Sequence, residues 1–356
     1  MLRRHGRGAV LAVVAALSFS ACAGPPSSDG GTAHHAARAS RSATNEAAVP
    51  RLAPPPGDRA IAPPPPDFGG AAPAASTCAA PPPPVAPSGT GTWAVIIGIN
   101  RYPSGHFDLQ SAVPDARDVD EALGRFGVPP GQRLVMTDES ATGCRIDAAA
   151  DWLVRNAGPG ATAVFFYAGH ARKLGGSTEA LIAADGANVT DADLAHHLAG
   201  LQSAHTWIGI SACFGGGFDE LLGPGRILTA AAGPNALAYE NEGFHRSYLV
   251  QYMVRKAMIE GAAPDTVQQS YQWAWAALDR DYPNRMPYQI DRAGGPLDIH
   301  QPGAPRPPAT SHAVAGGGRG GSSNPPPAPP PTSPSTTAPP PNDNCSGLTL
   351  GIVHCR

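Results

Sequence analysis

The chain has 356 residues, 41 of them Pro and 42 Gly, and a formal net charge of −3. That near-neutral balance, with no basic block beyond the first few residues, argues against nucleic acid or an anionic membrane surface as a partner. Pro and Gly crowd into residues 24–90 and 301–342, leaving residues 91–300 with the composition and length of one α/β domain.

The N-terminus reads as an export signal. Arg3, Arg4 and Arg7 precede an apolar run over residues 8–21 that is too short to span a bilayer as a mature helix. Two cleavage readings compete. Phe19-Ser20-Ala21-Cys22 resembles a lipoprotein box in which Cys22 would carry the lipid, while Ala21-Cys22-Ala23 fits an ordinary small-x-small signal site. A lipid would anchor the chain to the outer face of the cytoplasmic membrane, and ordinary cleavage would release it. Residues 24–90 have too little apolar content to build a core and read as an extended, partly polyproline linker.

The core alternates between strand and helix patterns. Residues 93–99 form a continuous apolar run, as in a strand buried on both faces. Residues 111–126 carry apolar side chains at helical spacing and end at Gly127. A short strand is expected at 134–136, a helix at 146–156, a strand at 162–168 and a helix at 191–201. Strands at 206–210 and 227–230 and helices at 247–259 and 266–278 complete the pattern. Alternation of this kind gives right-handed βαβ units and a mostly parallel sheet with helices on both faces. Residues 301–342 form a second Pro-rich tail. The last residues, 344–356, could close a small hairpin or merely end the chain.

Six cysteines are present. With Cys22 lipidated or removed and Cys213 kept for chemistry, Cys78, Cys144, Cys345 and Cys355 remain as disulfide candidates. Cys345 and Cys355 could close a loop, leaving Cys78 and Cys144 to pair. The alternative is that some stay as free thiols.

In an open parallel sheet, reactive groups collect beyond the carboxyl ends of the strands. One strand ends in Tyr167-Ala168-Gly169-His170 and another in Ser211-Ala212-Cys213-Phe214-Gly215. If these strands are neighbours, His170 faces Cys213, and a thiol at neutral pH needs such a base to become a nucleophile. The flanking glycines free backbone N–H groups, and those of Gly169 and Cys213 are candidate oxyanion donors. Glu240, Glu242 and His245 fall in a loop that would border the cleft. Asp185 reads as a turn residue, and His196-His197, adjacent on a helix, do not form a metal site.

These residues carry a resemblance to the caspase and metacaspase superfamily. Phe165-Phe166-Tyr167-Ala168-Gly169-His170 is similar to its strand and Ser-Gly-His, and Ser211-Ala212-Cys213-Phe214-Gly215-Gly216 to its Asp-x-Cys-x-Ser-Gly. The stretch 93–100 followed by Pro114-Asp115-Ala116-Arg117 resembles its first strand and helix. The resemblance implies a three-layer caspase-like fold over residues 91–300 flanked by disordered Pro-rich tails. It also implies a cysteine endopeptidase with catalytic His170 and Cys213 acting on a peptide or protein substrate. No cofactor or metal is implied, and a calcium requirement is left open. Ser211 stands where the family usually has a pocket acid, while Asp115 matches a second one, so a pocket for Arg or Lys is half kept. The alternative is a catalytically degenerate caspase-fold binding or scaffold module of the cell envelope.

Overall fold

The computed structural model describes residues 54–65 and 89–306, with the backbone of 348–349 and 352–354. The export signal, Cys22, Cys78, Cys345, Cys355 and most of both Pro-rich tails lie outside the described residues. Among the described residues no helix is long and apolar enough to cross a membrane.

In chain order the strands are β1 (Asp58–Ala60), β2 (Thr90–Gly98), β3 (Arg133–Thr137), β4 (Gly160–Ala168), β5 (Ala171–Gly175), β6 (Thr178–Ile182) and β7 (Asn188–Thr190). They continue with β8 (His205–Ser211), β9 (Arg226–Ala230), β10 (Tyr239–Asn241), β11 (Arg246–Ser247), β12 (Tyr288–Arg292), β13 (Leu348–Thr349) and β14 (Ile352–His354). The helices are α1 (Ala112–Arg125), α2 (Gly143–Asn156), α3 (Asp191–His197), α4 (Val250–Ile259), whose turns are of the wider i→i+5 kind, and α5 (Val267–Asp281).

The main sheet runs β13-β14-β12-β9-β8-β4-β2-β3. From β9 to β3 every pairing is parallel, and β12 joins β9 antiparallel. This is the mostly parallel α/β sheet that the alternating pattern implied. β2 shows why it has three layers. Side chains of alternate residues leave a strand on opposite faces. Trp93 meets Trp152 of α2 edge-on, with ring centroids 5.7 Å apart. Gly98, of opposite parity, lies under α1, where a Cβ would stand 2.5 Å from Ala112 O and 2.6 Å from Ala116 Cβ. The two helices therefore cover opposite faces, and everything between them in β2 is buried. On α1 the inward stripe is Ala112, Ala116, Val119 and Leu123, small near Gly98 and larger further along.

The structure departs from the sequence expectation in three places. Residues 171–190 form a small antiparallel sheet, β5-β6-β7, instead of a loop. These strands are short, and β5 ends in exposed Leu174 and Gly175, so no run of alternating apolar residues announces them. β12 was missed for the same reason of length. Third, the stretch expected to be linker through residue 90 contains residues 54–65, which pack on the domain: β1 pairs antiparallel with β10, and β10 with β11. Proline content conceals this, because the four residues 58–61 that form the strand pairing and its extension have ordinary N–H groups and side chains.

Replacing Gly98 by Ala pushes a methyl group into the α1 backbone. The expected result is a loss of about 1–3 kcal/mol of stability, read as a lower urea midpoint with unchanged slope. An unaltered midpoint would show that α1 is not seated on β2 as described.

Candidate active site

The parallel register of β4 and β8 sets Ala168 beside Ser211. Two residues beyond each lie His170 and Cys213, so the two sequence-predicted groups emerge side by side from the carboxyl edge of the sheet. Gly169 lets the chain turn there: a Cβ on it would come within 2.6 Å of the hydroxyls of Tyr167 and Tyr102. Those tyrosines, which the sequence reading did not single out, hold the His170 backbone. Tyr102 Oη accepts the His170 N–H at 2.8 Å, and Tyr167 Oη lies 2.7 Å from the His170 carbonyl as donor. The Tyr102 ring also packs against the imidazole, centroid to centroid 4.7 Å.

The imidazole is oriented from its far side. Nε2 lies 2.7 Å from the Phe107 carbonyl, which can only accept, so Nε2 carries the proton. Nδ1 then holds the lone pair, and it is buried with no hydrogen-bond partner. A buried, unpartnered acceptor costs stability and calls for a reason. The loop presenting Phe107 is itself pinned. Asp138 Oδ1 accepts from the N–H groups of Asn100 and Arg101, and Asp108 Oδ1 from that of Tyr102.

Cys213 is a free thiol and fully buried. The next residue, Phe214, has φ of 58°, a strained left-handed conformation for a side-chain-bearing residue and one that clusters at functional sites. Sγ receives the Ala238 N–H at 3.2 Å and donates its own proton to the Ile61 carbonyl at 2.7 Å. Burial sets the charge state of both partners. It pushes the Cys213 thiol up to about 11 and pulls His170 down to about 4, so the pair rests neutral at pH 7.

The remaining predicted residues are placed as follows. The Gly169 N–H donates to Ser211 O at 3.3 Å, so it is not free for an oxyanion in this conformation. Asp115 is buried, not solvated. Ser211 Oγ lies 3.0 Å from one of its carboxyl oxygens, and the Ser247 N–H reaches the other at 3.1 Å. Burial raises Asp115 to about 7. Glu240 is buried beneath Arg59 and accepts from Gln110 N, Ser111 N and Ser111 Oγ. Asp185 caps the start of α2 through Gly143 N and also bonds Ala187 N within its own turn. Cys144 is disulfide-bonded, to a partner outside the described residues.

A buried thiol and an oriented imidazole thus stand just beyond adjacent strand ends of a parallel sheet. The caspase-domain family model matches residues 92–279, more than half of the chain, and the protein belongs to that family. It is similar to Metacaspase-1 of Mycosarcoma maydis, 35% identical over 115 residues. That match covers 30% of this chain and 27% of the relative, so the chain aligns with only about a quarter of it. A crystal structure of a Geobacter sulfurreducens protein superposes with a TM-score of 0.45 at 15% identity, covering 56% of this chain and 92% of that one.

The two shifted groups have opposite effects on stability. His170 falls from 6.5 to about 4, so the unfolded chain binds the extra proton between those values. Its contribution is full above about pH 6.5 and is lost as pH falls toward 4. Asp115 rises from 3.8 to about 7, so its contribution is full below about pH 3.8 and is lost as pH rises through 7. Urea midpoints measured across pH 4–8 should therefore lose part of their acid-side decline in His170→Ala and part of their decline toward pH 7 in Asp115→Asn. A wild-type profile reproduced by both variants would contradict these environments.

Proposed function

We propose that the protein is a cysteine endopeptidase in which His170 and Cys213 form the catalytic dyad. The observation that carries this reading is the unpartnered Nδ1 of His170, made a lone-pair acceptor by the Nε2–H bond to Phe107 O. His170 Nδ1 takes the thiol proton, the sulfur attacks the peptide carbonyl, and a thioester forms as the amine leaves with that proton. Water then resolves the acyl-enzyme. The Cys213 N–H serves the oxyanion, and the Gly169 N–H joins it once its long bond to Ser211 O is released. The reaction as proposed draws on no cofactor, and assays with calcium and with a chelator address a requirement for that ion.

Two finer features belong to the same proposal. Export through the N-terminal signal, with Cys22 as a lipid anchor, fits the basic-then-apolar start of the chain. Cleavage after Arg or Lys would rest on Asp115. A basic side chain would have to compete for a carboxyl that already has Ser211 and Ser247 as partners.

The full-length protein, Cys213→Ala and His170→Ala should be compared on a fluorogenic peptide library. Each substitution should reduce turnover by a factor of about 100 or more, the scale of a general base or nucleophile, while leaving the circular dichroism spectrum unchanged. The deep burial of Cys213 favours a second reading, a binding module that has lost catalysis. Full activity in either variant would rule out the dyad, and silence of the wild type under all conditions would favour the binding module.

A further inference from the structure

The segment over residues 54–65 lies across the candidate active site as a peptide lies in a groove. β1 pairs antiparallel with β10, Asp58 opposite Asn241, Arg59 opposite Glu240 and Ala60 opposite Tyr239. The ladder continues one residue further, with Ile61 N donating to Ala238 O at 2.9 Å. The next polar group along the chain, the Ile61 carbonyl, receives the Cys213 thiol. Strand addition to a sheet edge, with a carbonyl placed at the thiol, is a geometry in which an extended peptide presents its carbonyl to a nucleophile.

The side chains are held as well as the backbone. Ile61 is only 2% exposed. Arg59 forms an ion pair with Glu240 at 3.3 Å and donates to Asp108 O at 2.8 Å. Asp58 accepts from Tyr248 Oη at 2.6 Å and from Arg285 Nε at 2.8 Å. Contacts then thin out on the other side of Ile61. Ala62 is exposed, Pro64 is buried, and Arg172 donates to Pro65 O at 3.0 Å. The recognition is thus concentrated on the residues before the Ile61–Ala62 bond. Prolines at 54–56 and 63–66 flank the bound residues and reduce the entropy lost on docking.

We infer that residues 58–61 occupy the acyl side of the substrate groove. That groove takes extended peptides with a branched aliphatic residue at the bond to be cut, in place of the Arg or Lys that Asp115 would recognise, a small residue before it, and Arg then Asp further upstream. The assignment of a bond to be cut rests on the peptidase reading. The occupancy and the order of subsites rest on the contacts alone. The segment sits as an occupant, not a reacting substrate. The thiol is protonated and directed at the carbonyl oxygen, and the Gly169 N–H is engaged with Ser211 O. Cys213 is therefore closed to other peptides while the segment is in place.

The test uses the full-length chain, a double variant Asp58→Arg with Arg59→Glu, and Ile61→Gly. The first breaks both ion pairs, and the second removes the buried side chain. Alkylation of Cys213 by iodoacetamide, followed by mass spectrometry of its tryptic peptide, should be about tenfold faster in both variants, equal to roughly 1.4 kcal/mol of lost occupancy. In the loosened double variant, acetyl-Asp-Arg-Ala-Ile-amide should protect Cys213 from alkylation at concentrations where acetyl-Asp-Arg-Ala-Arg-amide does not. Unchanged labelling in both variants, or protection by the Arg-ending peptide equal to or better than the Ile-ending one, would overturn the inference. Accelerated labelling and selective protection without any hydrolysis would uphold the groove assignment and count against the peptidase reading instead.

Discussion

The parallel pairing of β4 with β8 is the constraint on which the rest depends. It places Ala168 and Ser211 in register, and through them His170 and Cys213 at one edge. Parallel strands require crossover connections, so the chain between the two groups must leave and return, which it does through the small β5-β6-β7 sheet and α3. The sheet is rigid because it is buried on both faces, and it transmits that rigidity to the two residues just beyond its end. Everything added at the site adjusts these two positions: Tyr102 and Tyr167 fix the His170 backbone, and Phe107 O selects its tautomer.

Desolvation is the second organising force. A thiol and an imidazole that share a wet cleft can exchange a proton readily, because either charged form is solvated. Here burial penalises both charged forms, raising Cys213 and lowering His170. In the neutral pair the lone pair on His170 Nδ1 is left without a partner. Part of the burial comes from residues 54–65, whose Ile61 carbonyl covers the sulfur. Solvation of the site is consequently coupled to the position of this segment.

Asp115 illustrates how one residue can serve fold and site together. It lies on α1, faces Ser211 at the end of β8, and binds the Ser247 N–H at the start of the α4 region. It ties three elements at the level of Cys213. On α1 it stands close to Asp118 and Asp120, a cluster of acids that by charge alone resembles a solvated face. Asp118 is buried too, paired with Arg246 and Arg255, which explains why the charge pattern of α1 looked like a solvent face and is not one.

The sheet, and the positions of His170 and Cys213 at its carboxyl edge, are legible in the sequence. Continuous apolar runs at 93–99, 162–168 and 206–210 match strands buried on both faces, and the last two end just before His170 and Cys213. Those are local signals, short continuous runs of apolar side chains. Only the tertiary structure decided which backbone groups meet them. The Phe107 carbonyl and the Ala238 N–H carry no side-chain signature, because every residue has such groups. The Ile61 carbonyl was hidden further by its prolines, which mark a stretch as unable to build a core but say nothing of whether it can lie in one already built. Long-range hydrogen bonds are fixed by where the chain returns in space, and that is a property of the whole fold and not of any window of sequence.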